Sequence, residues 1–271
     1  MPGVRSLTTR RRERRVARPA RGGEAGAKDL GAIVAKVTDD RLEPSERRRA
    51  VVALAGVVGS SAREAGVGAV VQGRWLADVL LEVAPRLAVR DRATLQRHHP
   101  GLTDDELAAF LVAAAVRATA AIGAAGGAVA AVQWTASPTL ASVPVQIVAQ
   151  TLAVAAVEIK LLAELHEVYG TVPAGGRAQR AMSYVVAWVR RRGVDPLDPA
   201  ALRLVLGVAA RREVRRRVVR RAGLNLATLG PLMAGAVAGS AVNRRETSRL
   251  AQHVLADLRR ERPGPATSPW S

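Results

Sequence analysis

Apolar and polar positions alternate at helical spacing through almost the whole chain between its two ends. In residues 45–65 and 74–90, patches of Ala, Val and Leu recur with Arg and Glu at the 3.6-residue period of amphipathic helices. Thr103-Asp104-Asp105-Glu106 reads as a capping box. In it the threonine hydroxyl takes the backbone amide three residues on, and the glutamate reaches back. Acids in that first turn also suit the positive helix end, so a helix over about 104–122 is predicted. Ser137-Pro138, Val143-Pro144 and Asp198-Pro199 place proline near helix starts, where its missing N–H costs nothing. From Pro144 the pattern runs unbroken to Tyr169, and Gly170 is a left-handed stop. Further helices are predicted at about 177–192, 199–222, 224–242 and 244–261. No window shows the period-2 alternation of a half-buried strand. The predicted fold class is all-α: a single multi-helix bundle with a buried Ala/Gly-rich helical hairpin and a disordered basic N-terminal tail.

Charge is missing from two long tracts. Ala118 through Val157 holds no charged residue and divides at Trp134-Thr-Ala-Ser-Pro138 into two arms. Ala222 to Val242 is a second neutral tract, with Arg220-Arg221 before it and Arg244-Arg245 after it. By length both qualify as transmembrane or re-entrant segments, since a spanning helix takes about 20 apolar residues. Composition points the other way, because the first arm is mostly Ala and Gly and the last tract carries Asn225, Gly230 and Pro231. Small side chains allow tight helix pairing in lipid or in a soluble core, so membrane insertion and a buried hairpin of a soluble or peripheral bundle both stand. The helix ending at Tyr169 changes character along its length. Its first half is nearly apolar apart from Gln146, Gln150 and Thr151, and its second half brings in Glu158, Lys160, Glu164, His166 and Glu167. Two readings of this follow: a helix leaving the core for solvent, with Lys160 and Glu164 as a surface pair, or a polar seam of Gln146, Gln150 and Glu158 within the bundle.

Composition narrows the function classes. No cysteine means no disulfide framework, no thiolate metal site and no cysteine nucleophile. With 3% aromatic residues, a stacking platform for single-stranded nucleic acid is not expected. Lys and Arg number 41 against 23 Asp and Glu, a net charge of +18, and much of that excess sits in defined places. Residues 1–23 hold eight Arg against Glu13 alone and bury almost nothing, the pattern of a disordered tail. No apolar stretch of the kind a secretory or twin-arginine signal needs follows it. The expected organisation is a tail over 1–25, a helical domain over 26–262 and a second disordered tail over 263–271. In 211–221, Arg211, Arg212, Arg215, Arg216, Arg217, Arg220 and Arg221 cover most of a helical wheel and leave a strip with Val214 and Val218. Such a helix faces water, an anionic membrane surface or an acidic partner, and its place before a neutral tract favours lipid head groups.

Catalytic and cofactor motifs do not assemble. His166-Glu167 opens like a zinc-protease helix, but the second histidine position is Gly170. His98-His99 precede Pro100-Gly101 in a predicted turn, and His253 lies on a predicted surface helix. No Walker lysine loop, dinucleotide fingerprint or nucleophile elbow occurs. Asp39-Asp40 and Asp104-Asp105 read as caps and turns.

Two stretches carry a family resemblance. Residues 155–170, ending in Leu-His-Glu-Val-Tyr169-Gly170, resemble the long helix with a terminal Tyr-Gly of the EcsC-like bacterial family. Residues 229–247, with Pro231, Gly235, Gly239 and Asn243, resemble that family's C-terminal Pro-x-x-Gly-Ala-x-x-Gly-x-x-x-Asn segment, although Gly235 comes one position late. The resemblance implies a helical fold and no established catalytic activity or cofactor. It makes Tyr169, Gly170, Gly235, Gly239 and Asn243 packing or capping positions, with Asn243 capping or breaking a helix. The expectation is a non-enzymatic bundle without cofactor or metal, at the cytoplasmic face of a membrane, meeting anionic lipid or an acidic protein. The alternative is a soluble scaffold, or a nonspecific nucleic-acid-associated protein using the tail.

Overall fold

The computed structural model describes residues 22–65, 74–135, 142–191 and 233–261. The predicted Arg211–Arg221 basic helix, both predicted tails and the predicted 199–222 helix lie outside the described residues, apart from the N-terminal tail's last positions, which begin the first helix. Eight α-helices occupy the described residues: α1 Gly22–Val37, α2 Pro44–Ala65, α3 Arg74–Val83, α4 Arg92–His98, α5 Asp104–Thr135, α6 Ser142–Tyr169, α7 Arg177–Arg191 and α8 Met233–Glu261. A 3-10 turn, Ala84–Arg86, follows α3. No strand occurs among the described residues, so the fold is an all-α bundle.

Every other described helix packs on α6. All positions from Ile147 to Leu165 are buried, so this helix is shielded around its whole circumference. That corrects the expectation that its second half reaches solvent. It also explains why the segment is apolar on all sides rather than amphipathic: a helix enclosed by neighbours has no face left for water.

The long helices α5, α6 and α8 form the frame. Gly123 meets Gly239, Thr119 meets Asn243 and Asp105 meets Arg259, so α5 and α8 run antiparallel in one register over about 27 Å at 1.5 Å per residue. Gly126 against Gln150 and Asp105 against Tyr169 set α6 antiparallel to α5 in the same way. Close approach of α5 and α8 needs the two glycines. A Cβ on Gly123 would lie 2.3 Å from the Gly239 carbonyl oxygen, and one on Gly239 would lie 2.5 Å from that of Gly123.

Local signals account for most helix ends. The Thr103 amide donates to Glu106 Oε2 at 2.8 Å and the Glu106 amide to Thr103 Oγ1 at 3.3 Å, closing the capping box. At the end of α6, Gly170 has φ +71°, and the Gly170 and Thr171 amides return to the carbonyls of Glu167 and His166. This pair of bonds satisfies the last turn in a Schellman motif. Three predicted boundaries differ. The predicted 74–90 helix stops at Val83, because Pro85 cannot donate and the chain is extended from Leu87. The helix predicted to end near 122 continues to Thr135, since no proline interrupts it and its glycines sit where neighbours press close. The break expected at 243 is absent: α8 passes straight through Asn243. The Asn243 amide donates across to the Thr119 carbonyl of α5 at 2.9 Å instead of turning back on its own backbone.

Candidate functional site

Two polar clusters lie inside the bundle. The first joins α6, α7 and α8. Glu158 is 0% exposed, and its carboxylate accepts from Trp188 Nε1 at 2.8 Å and from Thr247 Oγ1 at 3.0 Å. Two turns toward the N-terminus of α6, the Gln150 side chain lies against Gly126, where a Cβ would fall 1.5 Å from Nε2. That Nε2 is buried without a hydrogen-bond partner. Thr119, Asn243 and Thr247 are buried polar residues of the neighbouring helices α5 and α8, with Thr247 bonded to Glu158 and Asn243 to Thr119. Gln150 and Glu158 of the predicted seam are thus buried, but each meets a different neighbour rather than the other. Gln146 lies on α6 and Gly235 on α8, and their surroundings are outside the described residues.

The second cluster ties the α1–α2 connection to α6. Arg90 grips Glu164 with Nε at 2.8 Å and Nη2 at 2.9 Å while Nη1 donates to Asp40 at 2.8 Å. Lys160 Nζ stands 3.8 Å from Glu164 and donates to the Thr38 carbonyl at 3.0 Å. Lys160 and Glu164 are therefore buried members of an ionic cluster, a correction to the surface pair expected from their spacing. Burial alone would raise the Asp40 pKa, but the charges of Arg90 and Lys160 hold it below the ordinary value. Burial opposes the Arg90 charge as well, and its bonds to Glu164 and Asp40 outweigh this and raise its pKa. Beside this cluster, buried Arg47 donates to the carbonyls of Val37, Asp39 and Leu42. Cations from α2 and α6 thereby satisfy the negative C-terminal end of α1.

Where the C-terminal ends of α6 and α8 meet the start of α5, Tyr169 Oη donates to Asp105 Oδ1 at 2.6 Å, and Arg259 donates to the same oxygen at 3.1 and 3.2 Å. Tyr169 is thus a packing residue latching α6 to α5 and α8, and Gly170 a capping one. His166 Nδ1 is 3.0 Å from the Thr171 carbonyl oxygen and 2.9 Å from the Thr171 hydroxyl, and its ring centroid is 5.5 Å from that of Tyr184. Burial lowers the His166 pKa and pushes Tyr184 up to about 12. Among the described residues no group of three or more His, Asp or Glu side chains is placed to hold a metal. The His99 and Phe110 rings meet tilted at 48°, with centroids 4.2 Å apart, while His98 and His253 are exposed.

The open face of the α5/α8 pair differs from this interior. Along α5, Ala109, Phe110 and Ala113 are exposed and Val112, Val116, Ala121 and Ala124 half-buried, with Arg117 among them. On α8, Val237 is 64% exposed. A groove of about 660 Å³ runs between the helices, lined by Ala124, Val237, Ser240, Ala241, Arg244, Arg245 and Ser248. Arg117, Arg244 and Arg245 are exposed and have no counter-ion among the described residues.

Sequence reasoning missed Arg90, Asp40, Trp188, Thr247, Thr119 and Gly123. Lys160 and Glu164, polar positions inside an otherwise enclosed helix, were the one signal that buried partners of opposite charge had to exist. No family model, curated protein or solved structure matches the chain.

Proposed function

We propose that the chain is a non-enzymatic helical bundle that lies on an anionic membrane surface at its cytoplasmic face, related to the EcsC-like proteins. The observation that carries this is the outer face of α5 and α8: exposed Phe110 and Val237 on a strip of small apolar residues, with Arg117, Arg244 and Arg245 along it. Apolar side chains dip into the head-group boundary while basic ones meet lipid charge, each cation near the surface contributing about 1 kcal/mol. The reading is of a protein lying on the bilayer rather than crossing it. Over Asp104–Gly126, α5 is long and apolar enough to span, yet 56% of its most apolar window is already buried against protein. Within the Ala/Gly arms, most of the small side chains described, in 118–126 and 147–157, are spent on helix contacts instead of lipid. The non-enzymatic part rests on the interior ionisable groups, Glu158, Glu164 and Asp40, each of which holds neighbouring helices together.

Fractionation of cells tests this. The protein is expected with membranes, released partly by high salt and fully by carbonate. Recovery wholly in the soluble fraction refutes membrane association, and resistance to carbonate refutes the peripheral mode.

A further inference from the structure

We infer that the α5/α8 groove seats one anionic phospholipid, its phosphate between Arg244 and Arg245 and its upper chain against Ala124, Val237 and Ala241. This deepens the membrane-surface reading and rests on it. Adjacent helical positions point about 100° apart, so the two arginines diverge from the α8 wall of the groove instead of stacking on one another. Among the described residues the groove's walls offer no carboxylate, while the hydroxyls of Ser240 and Ser248 add neutral hydrogen-bonding groups about one turn to either side of the arginines. The Thr119–Asn243 pairing places Arg117 of α5 level with Arg245, adding a third cation around that point. The remainder of the lining is apolar, and Val237 is the most exposed large hydrophobic residue described. Its volume of about 660 Å³ lies within the range of ligand clefts, about 300–1,000 Å³. A fork of guanidinium groups beside a strip that water solvates poorly matches an amphiphile with a phosphate at one end. A soluble phosphate would use only the cations and leave the apolar strip unused.

The test is sedimentation of the full chain with phosphatidylcholine vesicles, with and without phosphatidylglycerol. It compares wild type, the double variant Arg244→Gln/Arg245→Gln, the groove-filling Ala241→Trp, and Arg48→Gln/Arg49→Gln. The last removes the same charge from an exposed stretch of α2. The expected result is binding that requires phosphatidylglycerol, falls about thirtyfold in the groove arginine variant (two cations at about 1 kcal/mol each), falls in Ala241→Trp, and changes little in the α2 variant. Equal losses in the two arginine pairs, with Ala241→Trp unchanged, overturn the groove while leaving surface association standing. No binding of wild type to either vesicle overturns both. Competition by soluble glycerol phosphate as strong as that by short-chain phosphatidylglycerol assigns the site to a free anion and also overturns the inference.

Discussion

Adding one methyl group at Gly123 should destabilise the bundle, and adding the same group at Gly56 should stabilise it. Both glycines lie inside helices, where alanine is favoured by about 1 kcal/mol. At Gly56, on the exposed side of α2, the new Cβ meets nothing within 4 Å, so the helical preference is felt in full. At Gly123 the Cβ would stand 2.3 Å from the Gly239 carbonyl oxygen and 2.8 Å from Asn243 Nδ2, where ordinary contact begins at 3.4 Å. A backbone oxygen cannot rotate away, so α5 and α8 must separate by about 1 Å and loosen the Asn243–Thr119 bond. Overpacking of this kind costs about 1–3 kcal/mol, and a backbone obstacle puts it at the upper end. Set against the helical gain, the net loss is about 2 kcal/mol. For a chain of this size that lowers Tm by about 4–8 °C, while Gly56→Ala raises it by about 2–4 °C. Thermal melts and urea titrations of the two variants side by side provide the measurement. A Gly123→Ala protein as stable as wild type would refute the close crossing on which the α5/α8 register depends.

The other interior contacts give further expectations. Glu158→Ala removes the acceptor that the Trp188 N–H and Thr247 O–H share in the core and should cost about 3 kcal/mol in urea unfolding, with Glu158→Gln milder because one acceptor remains. Arg90→Ala leaves Glu164 and Asp40 with Lys160 as their remaining described cation and should cost about 3 kcal/mol by the same assay. Since folding depresses the Asp40 pKa, its contribution is full above its unfolded value and is lost as pH falls through the lower folded value. Asp40→Asn should therefore flatten the acid limb of a stability–pH curve. The Tyr184 hydroxyl is buried without a hydrogen-bond partner, so Tyr184→Phe should be neutral or stabilising by up to about 1 kcal/mol. In wild type the folded pKa is raised, so the Tyr184 contribution is present below its unfolded pKa and lost as pH rises through about 12, which an ultraviolet titration of the phenolate can follow.

What could be read from sequence was what local chemistry decides. The Thr103–Glu106 box and the Gly170 stop depend on residues within one turn of each other, and both stand where their side-chain chemistry puts them. Neutral tracts predicted helices pressed together by small residues, and Gly123, Gly126 and Gly239 show that packing. What the sequence hid was which partner answers each buried group. Asn243 before two arginines has the local look of a helix end, and only its reach to Thr119 on a helix far away in sequence keeps α8 continuous. Lys160 and Glu164 have the spacing of a surface pair. Asp40 and Arg90, which make their burial tolerable, come from a turn and from an extended segment that the helical pattern of 74–90 disguised, and nothing local marks them as partners. The open groove was equally illegible, because its two walls are brought together by the α5/α8 register and not by any motif.

The central claim is that α6 is enclosed by protein on every side over Ile147–Leu165, which makes this core helix self-sufficient without lipid. Hydrogen exchange of the full chain in detergent-free buffer measures this directly. Peptides covering Ile147–Leu165 should be the slowest in the molecule, exchanging only on global unfolding, while those from the exposed face of α2 open locally and faster. Rapid exchange in Ile147–Leu165, or protection there that appears only once lipid or detergent is added, would contradict the account.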